Sequence, residues 1–214
     1  MQLKQLHKKF DILQSKFGAR ELNAIYGAGE VYMPQVCFVF MNPTARNVSA
    51  IKSWKGIRAP WLGTKNTWKL FTAIGVMSKK LNDEIQLKKS QDWDVDFSEK
   101  VYRELKKNKC FVTNLAKCTQ SDASHLSNAV FEGYKDLMLK EIELLAPKVI
   151  IAFGNQVSSI LLNKNINVSK YRKQSEVLDI NGKEYKVYPV FYPVGQGMRN
   201  ISKSIEDIRH ILKR

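Results

Sequence analysis

Four short apolar runs, each ending abruptly in an amide, a glycine or a proline, constrain this chain more than any other feature. Val36-Cys-Phe-Val-Phe40 stops at Met41-Asn42-Pro43-Thr44, and Cys110-Phe-Val-Thr-Asn-Leu115 carries Asn114 near its end. Val149-Ile-Ile-Ala-Phe153 turns at Gly154-Asn155, and Tyr185-Lys-Val-Tyr-Pro-Val-Phe-Tyr192 breaks at Pro193. Continuous apolar runs of this length read as strands buried on both faces, which occur where helices cover both sides of a parallel sheet. The segments between them supply the helices. An amphipathic helix opens the chain, and Asn66 or Thr67 caps a helix carrying Trp68, Phe71 and Ile74 on one face. Residues 83–109 are charged and polar and read as a surface insertion plus a helix. Phe131, Tyr134, Met138, Ile142 and Leu145 follow helical spacing over about 126–145, and Ile201, Ile205, Ile208 and Leu212 give a last helix starting near Asn200. The expected fold is a three-layer α/β/α sandwich with a central, mostly parallel four-stranded sheet, one domain spanning residues 1–214.

In such a sheet, ligands gather at the carboxyl ends of the strands. The loops that would meet there are unusually rich in chemistry: Asn42 to Trp61, Asn114 to Ser121, Gly154-Asn155, and Tyr192 to Asn200. An Asn held by a following Pro can aim its side-chain carbonyl at a water or a base edge. The glycines of Tyr192-Pro-Val-Gly-Gln-Gly-Met-Arg-Asn200 permit close backbone approach, and Arg199 can hold a phosphate.

Charge narrows the partner. The 35 Lys and Arg against 20 Asp and Glu leave a net charge of +15, more than solubility requires, which points to a polyanion: nucleic acid, or else an anionic membrane surface or acidic protein. No apolar run approaches the ~20 residues that span a bilayer, and the first ten residues lack a secretory apolar core. Cys37, Cys110 and Cys118 have no C-x-x-C spacing, so neither a disulfide framework nor a closed zinc site is expected, and a reducing cytoplasm fits. His7, His125 and His210 lack triad or metal-ligand spacing, and no phosphate-loop, dinucleotide or zinc-protease motif is present.

Taken in order, the loops resemble the uracil-DNA glycosylase superfamily, over about residues 36 to 212. Phe40-Met-Asn-Pro-Thr44 is similar to the first signature of that superfamily, in the form used by its single-strand-selective and mismatch-specific branches. Arg58-Ala-Pro-Trp-Leu-Gly63 and Val112-Thr-Asn-Leu-Ala-Lys-Cys118 are similar to segments of the thermostable bacterial and archaeal branch. Ala146-Pro-Lys-Val-Ile-Ile-Ala-Phe-Gly154 has the usual strand form, and Tyr192-Pro-Val-Gly-Gln-Gly-Met-Arg199 stands where the family's His-Pro-Ser loop would stand.

The resemblance implies roles by position. Asn42 would orient the water that attacks C1′, with Tyr192 beside it as the second catalytic residue, its hydroxyl donating to uracil O2. Trp61 would stack on an extruded base, and Asn114 would read its edge, donating to O4 and accepting from N3–H. Met41 and Thr44 would line the base pocket, backbone N–H groups between them holding O2 as charge develops. Gln196 and Met198 would enter the minor groove, while Arg58, Lys117 and Arg199 would contact DNA. The expected partner is DNA containing uracil or another altered base, bound by a monomer without metal or other cofactor.

The chain also departs from the family pattern. Tyr192 replaces the catalytic His of most branches and cannot become a cation near neutral pH, which implies slower excision or a different base. Thr44 replaces the bulky Tyr that excludes thymine's methyl in the most selective branch. Three cysteines at the wrong spacing cannot hold the iron-sulfur cluster that one branch builds on four. The alternative to a glycosylase is a non-catalytic nucleic-acid-binding protein that uses the same base pocket.

Overall fold

A computed structural model describes residues 2–123 and 126–213, with Gln196 described in its backbone alone; His125 lies outside the described residues. In chain order, the elements are α1 (Leu3–Phe17), β1 (Ala28–Gly29), β2 (Val36–Phe40), α2 (Asn66–Ala73), α3 (Lys79–Leu87) and α4 (Val95–Lys107). They continue with β3 (Cys110–Asn114), α5 (Asn128–Leu145), β4 (Val149–Phe153), α6 (Asn155–Leu162), β5 (Glu176–Ile180), β6 (Lys183–Val190) and α7 (Ile201–Leu212).

The apolar runs form the centre of the sheet, where β3, β2, β4 and β6 lie side by side and parallel. Alternation along each strand sends one set of side chains to each face. Cys37 and Val39 meet α1, α5 and α6 on one side, through Phe10, Tyr134, Ile142 and Leu161. Val36, Phe38 and Phe40 meet α2, α3, α4 and α7 on the other, through Phe71, Ile85, Val101 and Ile208. Two buried faces explain why β2, β3 and β4 read as apolar runs, whereas β6 exposes Lys186 and is buried mainly towards its carboxyl end.

The sheet has six strands rather than four and is mixed, in the order β1-β3-β2-β4-β6-β5, with β1 and β5 antiparallel at the edges. The edge strand β5 buries only Leu178 and Ile180 while Val177 and Asp179 face outward and Glu176 is half-buried, so its composition is too polar to stand out. A two-residue turn at Asn181-Gly182, both with positive φ, joins it to β6 as a hairpin.

The polar stretch 83–109 holds the expected helix, α4, but is packed on the sheet instead of forming a surface insertion. Ser78 and Asp94 accept from the backbone N–H groups of Leu81 and Phe97 and so cap α3 and α4. Phe97, Val101, Tyr102 and Leu105 form one buried stripe on α4, and Trp93 is buried against Trp68. The few apolar residues share one face, so the pair of helices covers the sheet despite a charged composition. Among the described residues, no helix is long and apolar enough to cross a membrane.

Candidate active site

The strand order places a topological switch at β2: the chain moves from β2 outward to β3 on one side, then returns to β4 on the other. Loops leaving the carboxyl ends of such strands diverge and leave a crevice. Here that crevice is a cleft of about 700 Å3, and Met41, Asn42, Thr44, Trp61, Asn114 and Tyr192 all line it. Residues from three of the four expected loops therefore meet in one place, whereas Gly154-Asn155 does not line the cleft.

Asn42 and Asn114 stand on adjacent strand ends, because Phe40, the last residue of β2, pairs with Asn114, the last of β3. The junction is tied by the N–H groups of Leu115 and Ala116, which donate to the carbonyls of Phe40 at 2.7 Å and Met41 at 3.0 Å. Asn42 donates its Nδ2 to the Pro43 carbonyl at 3.2 Å. That bond fixes the amide plane and leaves Oδ1 with no donor among the described residues. Asn114 is 1% exposed, and its Nδ2 has no hydrogen-bond partner among the described residues. Leaving a buried donor unpaired costs roughly 1–3 kcal/mol, so this amide is poised for an acceptor that enters the cleft.

Trp61 adopts φ +67°, a left-handed conformation that a bulky side chain rarely takes. Three successive carbonyls hold it there. Asn47 Nδ2 donates to Ala59 O at 2.7 Å, Tyr102 Oη to Pro60 O at 2.7 Å, and both Thr64 Oγ1 and Trp68 Nε1 to Trp61 O. The indole stands at 70° to the Phe40 ring, with centroids 4.9 Å apart. Phe40 in turn stacks on Phe153 at 4.4 Å and meets Tyr192 edgewise at 6.3 Å. One buried phenylalanine thus sets both aromatic walls of the cleft.

Tyr192 follows β6, and burial pushes its phenol well above the usual tyrosine range. Its hydroxyl therefore stays protonated and remains a donor. The following chain forms a 3₁₀ turn over Gly195–Asn200 at the mouth of the cleft, which Val194, Gly195 and Gly197 line. Met198 on this turn is 40% exposed, and Arg199 is exposed with no acidic partner among the described residues. Gln196 lies on the same turn, its side chain outside the described part.

Two sequence expectations are corrected. Lys117, read as a DNA contact, is 0% exposed: its ammonium lies inside the protein against Glu141 Oε2 at 2.8 Å and cannot reach a phosphate. Arg58 does not line the cleft; its guanidinium grips Asp11 of α1 at 2.9 Å, bonds the Tyr26 hydroxyl and lies 4.2 Å from the Tyr26 ring centre. Both side chains fasten the loops from behind instead of facing a ligand. Other cleft residues escape the sequence reading. Arg46 and Lys65 bring positive charge to the lining, and Thr67 lines it with a buried hydroxyl that has no partner among the described residues. Asn66 and Thr67, expected as caps, are instead the first two residues of α2 after Lys65, and no side chain among the described residues caps the helix.

The cysteines do not gather: Cys37 and Cys110 lie in β2 and β3, Cys118 in the loop after β3, and all three are buried. The family model of the uracil DNA glycosylase superfamily matches residues 34–214. That span begins just before β2 and holds every strand and loop that builds the cleft, and the chain accordingly belongs to the uracil-DNA glycosylase superfamily.

Proposed function

We propose that this protein is a monofunctional DNA glycosylase that extrudes uracil, or a related deaminated or modified base, and hydrolyses its N-glycosidic bond to leave an abasic site. The observation that carries this reading is the convergence in one cleft walled by Trp61 of Asn42 Oδ1 and Asn114 Nδ2, neither of which has a hydrogen-bond partner among the described residues.

Each group matches a demand of the reaction. An extruded base needs an aromatic face to replace the stacking it loses, and Trp61 offers one. Uracil presents O4 as an acceptor beside the N3–H donor, and the Asn114 amide complements that pair; cytosine presents the reverse. As the C1′–N1 bond breaks, its electron pair stays on the base and charge builds on O2. The Tyr192 hydroxyl and the N–H groups of Asn42 and Thr44, which bond no other described residue, are the donors for it. Asn42 Oδ1 then orients a water toward C1′; the water oxygen bonds to that carbon and its proton passes to solvent. Met198 and Gln196 are the candidates for filling the gap in the duplex, with Arg199 on a phosphate.

Single-turnover cleavage of uracil-containing oligonucleotides, single-stranded and mismatched, is the direct test. Product that depends on Asn42 is expected, and no cleavage above an Asn42→Ala control on any base tested overturns the reading. A neutral Tyr192 favours one other outcome, a base-binding protein without excision. Tight, salt-sensitive binding with no abasic product would select it.

A further inference from the structure

Behind Asn114, on the side away from the cleft, lies a buried polar ring that the proposed chemistry does not use. Lys117 is 0% and Glu141 is 1% exposed in their side chains. The Lys117 ammonium has three N–H donors, and three oxygens meet it: Glu141 Oε2 at 2.8 Å, Thr113 Oγ1 at 2.8 Å, and the backbone carbonyl of Asn114. Thr113 closes the ring by donating to Glu141 Oε2 at 2.9 Å. The Phe10 ring, 5.0 Å away, and Met138 Sδ, at 3.4 Å, complete the enclosure.

Stability does not account for this arrangement. Burying two charges costs several kcal/mol per ion before their attraction is counted, and apolar replacements of similar volume are often neutral or stabilising. Geometry does account for it. The lysine reaches back over the loop that starts at Leu115 and grips the last two residues of β3, one by its side chain and one by its carbonyl. Glu141 anchors that grip to α5. The carbonyl it holds belongs to the residue whose amide faces the cleft, so rotation of the Asn114 backbone, and with it re-aiming of its side chain, would break the ring.

We propose that Lys117, held by Glu141 and Thr113, is a positioning residue that fixes the Asn114 amide and is thereby a determinant of base selectivity. The selectivity rests on the reading of Asn114 as the group that meets the base edge; the positioning does not.

The test is a Lys117→Met/Glu141→Leu double variant, which removes both charges together. It is expected to melt cooperatively within a few degrees of the parent while the Asn114 side-chain NH2 order parameter falls from about 0.8 to below about 0.6 by NMR. The rate ratio for uracil over cytosine is expected to fall by about tenfold or more. An unchanged order parameter overturns the positioning, and an unchanged ratio overturns its role in selectivity. If the double variant does not fold, Thr113→Val takes its place: it deletes the hydroxyl that joins the two charges, and the same two readings decide. If the parent protein excises nothing, the glycosylase reading fails on that result alone. The order parameter still decides the clamp, and the preference in binding uracil- over cytosine-containing oligonucleotides replaces the rate ratio.

Discussion

The carbonyl oxygen of Tyr192 fills the space that any side chain at position 197 would need: a Cβ built on Gly197 would stand 1.9 Å from it. The turn that follows Tyr192 therefore folds back onto that residue's own backbone. Position 197 accepts hydrogen only, and the glycine serves the placement of Tyr192 more than entry into a groove.

Gly197→Ala is accordingly expected to push the Gly195–Asn200 turn away from Tyr192 without disturbing the sheet. The turn is an exposed connection, so the melting temperature should move by only a few degrees. A displacement of about 1 Å at a reacting centre costs on the order of 10²-fold in rate, and single-turnover excision should fall by about that factor. A variant that melts normally and keeps its full rate would show that the turn does not position Tyr192.

Asn114 illustrates the opposite balance between stability and use. Its buried Nδ2 has no hydrogen-bond partner among the described residues. Replacing it by Val removes that donor at little change of volume. Stability should stay level or rise by up to about 1 kcal/mol. Excision of uracil should fall by about 10²-fold or more, because the site no longer complements the base. Thermal melts and single-turnover rates on the same sample read both effects, and a large loss of stability would mean that the amide is already satisfied in the empty protein.

These residues also mark how far a sequence can be read. Of the four central strands, β2, β3 and β4 are legible because burial on both faces leaves few polar positions to blur the run, and β6 is legible from the apolar residues on either side of its exposed Lys186. The loop residues Asn42, Trp61, Asn114 and Tyr192 are legible as one site because strand ends in a parallel sheet must share an edge. Lys117 and Arg58 are not, since a lysine or arginine in a basic chain looks like a DNA contact until its partner is known. Glu141 lies 24 residues from Lys117 and Asp11 lies 47 from Arg58, and only the packing of α5 and α1 brings each pair together. The edge strand β5 is hidden for a different reason: one solvated face dilutes its apolar signal, although Asn181-Gly182 marks the hairpin that contains it.

Tyr192 sets an expectation for pH. An unperturbed histidine titrates near 6.5, whereas the unperturbed phenol titrates near 10 and burial here raises it further. The neutral, donating form therefore prevails throughout the range below about pH 10, and Tyr192 contributes no limb to the pH–rate profile there. Folding against the raised value also means that stability falls as pH climbs past about 10, where the unfolded phenol releases its proton first. Tyr192→Phe should lower the excision rate by about tenfold across the whole range, with no change in the shape of the profile. Tyr192→His should introduce a new limb below pH 6.5, because the burial that raises the phenol lowers an imidazole at the same place, with the faster rate on the acid side, where the ring is a cation. A parent profile with a limb that Tyr192→Phe abolishes below pH 10 would refute the assignment.

Arg58 and Arg199 should separate cleanly in their salt response. Arg58 is paired with Asp11 and packed on Tyr26, joining the loop before Trp61 to α1. Its removal should cost about 1 kcal/mol of stability, the scale of one partly exposed ion pair with a cation–π contact. Arg199 is exposed on the turn at the cleft mouth and has no acidic partner among the described residues, so its truncation should leave the melting temperature alone. A phosphate contact releases about one counterion, so Arg199→Ala should reduce the slope of log affinity against log salt by about 1. Arg58→Ala should leave that slope unchanged. DNA binding measured between 50 and 200 mM salt, roughly the range over which such slopes are resolved, reads the difference. A slope that drops for Arg58→Ala and holds for Arg199→Ala would reverse the two roles and place the DNA backbone along α1 instead of across the Gly195–Asn200 turn.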